Sequence, residues 1–245
     1  MQILIGTSGF PTGKKKYYEQ FNFIELDDTF KTFVKSKTLK KFREFSGEDF
    51  SFSLKAPIFL TDEKELFVKF TSNVPQLQKE KFDYYGLFKD TPQNKQILDF
   101  FANEVTSIDA DSAIFYTSNK VFPTSDNIRN MNNFFKKLSQ MDAFKERDLF
   151  WHFLGFWDDE SVKEVLDGTN VIPAYDPLMD QISFDAEINY FTMRGLGIYS
   201  RYYPDSALEN LAEIIMNKGV DTYVVFQGAN QFSDAKRFQS IIKSW

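Results

Sequence analysis

The chain has 245 residues and a net charge of −6, with 29 phenylalanines, one histidine and no cysteine. The missing cysteines exclude disulfides, thiolate nucleophiles, iron–sulfur clusters and cysteine-based zinc sites, and a single histidine excludes multi-histidine metal centres. The negative charge disfavours a broad, non-specific grip on nucleic acid or on an anionic membrane. Neither a signal peptide nor an apolar run of membrane-spanning length is visible, so we expect a cytoplasmic protein without membrane association.

Eight short apolar runs alternate with amphipathic helical patterns along the chain. Most of these runs end in a polar, charged or glycine residue. The alternation and the length predict a single α/β domain over residues 1–245, folded as a (β/α)8 TIM-like barrel with a polar mouth. The runs are Ile3–Ile5, Phe23–Leu26, Phe50–Leu54, Ala113–Tyr116, Leu149–Leu154, Val171–Tyr175, Tyr190–Met193 and Tyr223–Phe226.

The helical patterns between the runs are unequal. The segment after the first run contains Pro11 and Gly13, and the segment Pro177–Asp185 after the sixth run is irregular, so both helices are predicted to be weak or missing. The stretch after the third run is longer than one βα unit needs, which predicts an excursion over Thr61–Tyr85.

Local signals predict where several of the helices pack and begin. Ser161 and Ser206 each open a capping-box pattern and are predicted to start the helices after the fifth and seventh runs. The helix after the second run is predicted to pack through one apolar face. That face consists of Val34, Leu39, Phe42 and Phe45.

Glu25 and Lys55 are the leading catalytic candidates, because functional side chains of such barrels lie where the strands end. A carboxylate inside a barrel strand is largely desolvated, which costs several kcal/mol unless it is paired or protonated. The two residues could act as a general acid/base pair, and Lys55 could instead form a Schiff base or hold an anion. The alternative is that Glu25 and Lys55 form a buried ion pair that only stabilises the fold.

The loops after strands seven and eight are a frequent phosphate site in barrels. Arg194 there suits a carboxylate or phosphate, and Gln227 would help to form the site. A surface arginine beside turn glycines is the alternative. The segment Gly6-Thr7-Ser8-Gly9 could cradle an anion with its backbone N–H groups, although it matches no nucleotide-binding fingerprint.

Carboxylates at the ends of strands two and six allow a cofactor hypothesis. Glu25, Asp27, Asp28 and Asp176 could together form an all-oxygen site for Mg²⁺ or Mn²⁺. Helix capping by Asp28 and a turn at Asp176 explain two of these residues without a metal.

For two other motifs a purely structural role is favoured over a functional one. His152 lies within a strongly apolar run, where a hydrogen-bonded core histidine is more common than a catalytic one. The segment Lys14–Tyr18 mixes basic and aromatic residues as binders of single-stranded nucleic acid do, but a solvated loop is the better interpretation.

Three stretches of the first 60 residues resemble the DUF72 (YecE-like) family of TIM-like barrels, whose function is not established. Ile5–Phe10 resembles its I-G-T-S-G-W opening, Phe21–Phe30 resembles F-x-x-V-E-I-N-S-T-F, and Phe50–Ala56 resembles F-x-F-x-x-K-A. The resemblance implies the barrel fold. It also implies that the positions which carry over to a family site are Gly6, Thr7, Ser8, Gly9, Glu25, Thr29 and Lys55.

The second half of the chain departs from the family pattern, which indicates a divergent member. Thr192 and Arg194 stand where the seventh-strand motif has arginine and histidine, and Gln227 with Gly228 replaces a pair of asparagines. Asp62 follows Thr61 where the family commonly has histidine.

Three functions are therefore compatible with the sequence. The first is an enzyme, a hydrolase or a lyase or isomerase, that binds and converts a small anionic or polyhydroxy ligand at the mouth. The second is a barrel that binds a ligand or partner without catalysis. The third is a phosphodiesterase dependent on a carboxylate-bound metal, which the scarcity of histidine disfavours.

Overall fold

The computed structural model describes residues 1–74, 76–180, 184–195 and 202–245. Part of the predicted irregular segment Pro177–Asp185, residues 181–183, lies outside these ranges. The remainder of that segment is a turn followed by residues without regular structure, as the sequence predicts.

Eight parallel strands form one sheet in the order β1-β8-β7-β6-β5-β4-β3-β2, which confirms the predicted architecture. A parallel bridge between Ser8 and Glu25 joins the two end strands and brings the sheet close to a closed barrel. All carboxyl ends therefore open at one mouth. The strands are β1 Ile3–Thr7, β2 Phe23–Leu26, β3 Ser51–Lys55, β4 Ser112–Thr117, β5 Asp148–Phe153, β6 Val171–Tyr175, β7 Ile188–Met193 and β8 Asp221–Phe226.

Helices connect the strands, and those that follow β1 and β6 are short or missing in the described ranges, as predicted. No helix there is long and apolar enough to cross a membrane. The expected excursion after β3 consists of two short helices and two 3₁₀ segments, Val68–Asn73 and Lys79–Tyr84. The helices are α1 Lys14–Tyr18, α2 Asp28–Lys31, α3 Ser36–Ser46, α4 Ile58–Thr61, α5 Lys64–Phe67, α6 Pro92–Ile108, α7 Ser125–Leu138, α8 Asp159–Leu166, α9 Asp205–Lys218 and α10 Gln231–Ile242.

The strands bury apolar side chains on both faces, as parallel strands between a lumen and a helix layer must. Aromatic residues contribute most of the larger outer core, which explains the abundance of phenylalanine. A smaller cluster fills the barrel interior, and its members alternate with outward-facing neighbours along each strand. This inner cluster consists of Leu4, Phe23, Ile114, Phe150, Ala174, Tyr190, Tyr223 and Val225.

Three local predictions are wrong. Phe45 is predicted on the packed face of α3, yet it is 75% exposed. Ser161 does not cap α8, since the Asp158 side chain accepts a hydrogen bond from the Ser161 N–H at 2.8 Å and starts the helix earlier. Ser206 lies inside α9, which begins directly after Pro204.

Gly6 is required where β1 passes β2. A Cβ atom at Gly6 would lie 2.4 Å from the backbone carbonyl oxygen of Phe23, a contact that only a shift of the strand can relieve. We expect Gly6→Ala to lower the free energy of unfolding by about 1–3 kcal/mol through overpacking. Gly13→Ala is the control, because nothing lies within 4 Å of its added Cβ. Urea denaturation measures both, and equal stabilities would contradict the steric explanation.

Candidate functional site

The inward-facing side chains change from apolar to polar toward the mouth. Below that level the lumen is filled by the apolar inner cluster. At the carboxyl ends of the strands, polar and charged side chains replace it, namely the buried Glu25, Lys55, His152 and Thr192 and the half-buried Tyr116. A polar layer on top of an apolar plug gives the barrel a single face for chemistry.

Glu25 is fully buried, and both of its carboxylate oxygens are bonded. The Ser8 hydroxyl donates to Oε1 at 2.7 Å, and the Lys55 ammonium lies 3.7 Å from the same oxygen. The Tyr190 hydroxyl donates to Oε2 at 2.9 Å and also lies 3.2 Å from the Ser53 hydroxyl. The predicted pair of Glu25 and Lys55 therefore exists, and it faces the lumen rather than the helix layer.

Lys55 is the more accessible member of this pair. Its side chain is 11% exposed and that of Glu25 is 1% exposed. The ammonium lies over the rings of Phe30 and Tyr116, at 4.8 and 4.6 Å from their centroids, where cation–π attraction favours the charge. Thr29 holds the strand end in place, because its hydroxyl donates to the Lys55 carbonyl oxygen at 2.6 Å.

His152 is the buried neighbour of this cluster. Its Nε2 lies 3.1 Å from the Thr192 hydroxyl, and its ring packs edge-on against Tyr116 with centroids 5.1 Å apart. Burial, followed by the positive charges of Arg194 and Lys55, holds the pKa of His152 well below its ordinary value of 6.5. The imidazole is therefore neutral at physiological pH.

This neutrality can be measured directly, because His152 is the single histidine of the chain. We expect its imidazole carbon-bound proton signals in NMR spectra to keep their chemical shifts between pH 7.5 and 5.5. The unfolded chain protonates this histidine near pH 6.5, so His152 stabilises the fold above that pH and its contribution is lost as pH falls through and below it. A titration centred near 6.5 in the folded protein would contradict the burial.

Asp176 is buried, and burial raises the pKa of its carboxyl group. The carboxylate accepts hydrogen bonds from the Leu178 N–H at 3.0 Å, from the Tyr203 hydroxyl at 3.0 Å and from the Arg194 N–H at 3.3 Å. These bonds tie the end of β6 to the end of β7. They leave Asp176 positioning the loops at the mouth rather than facing a ligand.

Arg194 and Gln227 meet at a cavity of about 470 Å³ at the mouth, which Tyr116 also lines. The Arg194 guanidinium contacts Asp180 at 2.5 Å through Nη2. Within the part of the chain that the structure describes, Arg194 Nε and Gln227 Nε2 are buried and have no hydrogen-bond partner. A second cavity of about 750 Å³ shares Leu154, Met179, Asp180 and Arg194 with the first.

The segment from Gly6 to Gly9 does not present the expected row of N–H groups. The N–H of Thr7 donates to the Tyr17 hydroxyl at 3.0 Å, that of Ser8 to the Phe226 carbonyl at 3.0 Å, and that of Gly9 to the Glu25 carbonyl at 2.8 Å. The Ser8 and Gly9 groups close the barrel and the Thr7 group joins β1 to α1, so none of the three cradles an anion. Only the Ser8 side chain of this segment reaches the polar layer, through Glu25.

Sequence reasoning missed Tyr116, Tyr190 and the role of Asp62. Asp62 is buried, accepts hydrogen bonds from the N–H and hydroxyl of Ser118 at 3.0 and 2.9 Å, and so anchors the loop after β4. Burial, together with the charge of Asp62, raises the pKa of Tyr116 to about 12. Strand alternation could have placed both tyrosines inward, but it could not show which side chains they meet.

The carboxylates proposed as metal ligands do not converge. No group of three or more acidic or histidine side chains in the described ranges is arranged to hold a metal ion. Glu25 is bonded to an ammonium and two hydroxyl groups, while Asp176 holds loops together. The structure therefore gives the carboxylate-metal hypothesis no geometric support.

Comparison with known families extends the resemblance seen in the first 60 residues to almost the whole chain. The family model "Protein of unknown function DUF72" matches residues 12–244. The chain belongs to the DUF72 family. No curated protein matches it.

Solved structures show the same fold. A DUF72 family protein from Enterococcus faecalis V583 is 13% identical, with a TM-score of 0.70 over 99% of this chain and 98% of the other. A second DUF72 protein, from Thermotoga maritima MSB8, is 15% identical, with a TM-score of 0.65 over 99% of this chain and 100% of the other. A D-tagatose 3-epimerase-like protein is 14% identical, with a TM-score of 0.55 over 100% and 96% of the two chains.

Proposed function

We propose that this DUF72 barrel binds a small anionic or polyhydroxy ligand at its mouth. The observation that carries the proposal is the pair of buried donors, Arg194 Nε and Gln227 Nε2, which have no partner in the described ranges and line one cavity. An unsatisfied buried donor costs about 1–3 kcal/mol, so an oxygen-rich ligand that accepts both bonds would gain that energy.

The charges around the cavity favour a ligand with an anionic group. The Lys55 ammonium lies against Tyr116, which lines the same cavity as Arg194. The positive charges of Lys55 and Arg194 both act on His152, so both contribute a positive potential at the mouth. A phosphate or carboxylate between them would be held by charge-assisted hydrogen bonds, and ligand hydroxyls would suit Asp180 and Gln227.

The catalytic form of this proposal assigns different roles to Glu25 and Lys55. Proton transfer to a bound ligand falls to Lys55, because its side chain is partly exposed and its ammonium lies against Tyr116, which lines the cavity. Glu25 is a positioning residue for that ammonium, since its own oxygens are bonded and its side chain is 1% exposed. Hydrolase and lyase or isomerase chemistry on a polar substrate are both compatible with one such proton donor.

Binding is tested with defined compounds on the purified full chain. The probes are inorganic phosphate, glucose, glucose 6-phosphate and gluconate, measured by calorimetry at low salt. We expect at least one anionic probe to bind, and Arg194→Met to weaken that binding at least tenfold, because a hydrogen bond to a charged group contributes about 1.5–3 kcal/mol.

The matched control is Arg129→Met, which removes an exposed arginine of α7 that pairs with Asp126 three residues before it. This control should bind like the wild type. Failure of every probe to bind at millimolar concentration, or equal affinity of the wild type and Arg194→Met, would overturn the proposal.

Binding without turnover is the second candidate. It is favoured by the bonding of Glu25, because both oxygens of this buried carboxylate already have partners within the protein. A bound probe followed by NMR for several days distinguishes the two candidates. An unchanged spectrum of every bound probe supports the non-catalytic form, whereas a new product that Lys55→Met does not form supports the enzyme.

A further inference from the structure

A groove separate from the mouth lies between α1 and α3 on the outer wall of the barrel. It encloses about 620 Å³ and has an apolar floor that includes Tyr18, Phe42 and Phe45. Phe45 is 75% exposed, although the helical periodicity of the sequence places it with the packed residues. An exposed aromatic ring beside an apolar hollow is typical of a contact site for another molecule.

The rim of this groove is basic, because three lysines and one acidic residue, Glu19, line it. The sequences of α1 and α3 carry seven basic side chains and one acidic side chain, in a chain whose net charge is −6. Arg43 is engaged with backbone carbonyls and Asp111, but the lysines are exposed, and Lys14, Lys15 and Lys41 line the groove. In the described ranges no ion pair neutralises these three lysines, so the groove attracts carboxylates.

The aromatic rings are arranged for one apolar anchor rather than for a series of stacked bases. The ammonium of Lys14 already covers the rings of Phe10 and Phe42, at 5.0 and 4.7 Å from their centroids. Tyr17 is fully buried, with its hydroxyl bonded to Thr7. Among the residues that line the groove, this leaves the Phe45 ring open, whereas single-stranded nucleic acid needs successive open rings.

A polar group beneath the floor lacks a partner. The Tyr18 hydroxyl is buried and makes no hydrogen bond within the part of the chain described. Its ring is fixed edge-on between Phe10 and Phe50, with centroids at 5.7 and 5.0 Å. The ring is therefore held firmly at the floor, whereas the hydroxyl is closed to a segment seated in the groove.

We propose that the groove between α1 and α3 binds an acidic peptide segment of a partner protein through one bulky apolar side chain. The apolar side chain packs against Phe45, and carboxylates on either side of it pair with Lys14, Lys15 and Lys41. In such a contact the buried apolar side chain supplies most of the affinity, and the charged rim speeds association by attracting the partner.

The test is selection of binding peptides from a randomised 12-residue display library on the immobilised full chain. Enriched sequences are expected to contain one Trp, Phe, Leu or Ile flanked by Asp and Glu. Fluorescence anisotropy of the most enriched peptide should show at least tenfold weaker binding to Phe45→Ser and to the double variant Lys15→Glu with Lys41→Glu. Raising the salt concentration from 0.05 to 0.5 M should also weaken it.

Matched variants separate the groove from general surface effects. Tyr84→Ser removes another exposed aromatic ring, and Lys145→Glu with Lys163→Glu reverses two exposed lysines elsewhere, so both should bind like the wild type. The proposal is overturned by no enrichment over the bare support, by basic or uncharged consensus sequences, or by unchanged binding to the groove variants. Tighter binding of a 12-residue oligothymidylate that the same variants abolish would also overturn it.

Discussion

Replacing Lys55 by methionine is expected to lower the free energy of unfolding by about 3–5 kcal/mol, the usual cost of leaving one member of a buried ion pair alone. Glu25 would keep the hydrogen bonds from Ser8 and Tyr190, but it would lose the only ammonium within 4 Å in the described part of the chain. The cation–π contacts of the same ammonium with the rings of Phe30 and Tyr116 would be lost as well. Urea denaturation at pH 7 measures the loss.

The double variant Glu25→Gln with Lys55→Met separates burial of a lone charge from loss of packing. It removes both charges, while the amide oxygen of the glutamine can still accept from Ser8 or Tyr190, so most of the lost stability should return. Lys64→Met is the control, because its pair with Asp83 is shorter, at 2.6 Å, but exposed to solvent, and its loss should change the stability far less. A Lys55→Met variant as stable as Lys64→Met would show that the Glu25 carboxylate is solvated.

The same substitutions connect stability with function. If the mouth binds an anion, Lys55→Met should weaken that binding, whereas the double variant should recover stability without recovering affinity. A protein in which affinity returns together with stability would assign Lys55 a purely structural role. The two measurements therefore distinguish the alternatives that the sequence leaves open for this pair.

The barrel was predictable because short apolar runs alternate with amphipathic helical patterns and most of the runs end in a polar, charged or glycine residue. Register explains why Glu25 and Lys55 were also predictable as partners. Glu25 pairs with Ser53 across β2 and β3, so Lys55, two residues farther along, points to the same lumen from the adjacent strand. Neighbouring strands in sequence are neighbours in space, and their end residues can be matched without coordinates.

Contacts across the lumen were not predictable in this way. Tyr190 bonds to Glu25 from β7, 165 residues away in the chain, and no local pattern specifies that a tyrosine hydroxyl reaches across the barrel. The backbone of Thr7 to Gly9 illustrates the opposite error. Its composition suits an anion cradle, but its N–H groups bond to α1, β8 and β2 instead.

Periodicity likewise shows which residues share a helix face, but it does not show how far a neighbouring element covers that face. Leu39 of α3 is fully buried, Phe42 is half-buried and Phe45 is 75% exposed along one apolar stripe. Helix starts fail for a related reason. Asp158 and Ser161 are both good capping residues. The position of the chain after it leaves β5 determines that Asp158 caps α8.

Glu104 on α6 is expected to make the protein less stable as pH rises. The carboxyl group is buried, one oxygen accepts a hydrogen bond from the Val34 N–H, and the other has no partner within the described ranges. Burial raises the pKa of Glu104 to about 8 from its ordinary value of 4.5. In the folded protein this group is therefore a neutral acid at pH 7. It lies on α6, which packs against α3.

The sign of the pH dependence follows from proton binding. Between pH 4.5 and 8 the unfolded chain has lost the Glu104 proton and the folded chain has kept it, so unfolding releases a proton. The stabilisation is thus complete below pH 4.5, falls as pH rises through this window and is lost above pH 8. At 1.36 kcal/mol for each unit of pKa, the total loss is about 3–5 kcal/mol.

Glu104→Gln should remove this loss, because a neutral amide replaces the acid and can still accept from Val34. We expect the variant to unfold like the wild type at pH 5 and to be about 3–5 kcal/mol more stable than it at pH 9, in urea titrations at both values. Glu213→Gln, at an exposed position of α9, is the control and should leave the pH profile unchanged. His152 changes the stability only at acidic pH, and it does so equally in both proteins. If the free energies of unfolding of the wild type and of Glu104→Gln change in parallel from pH 5 to 9, Glu104 is ionised in the folded protein.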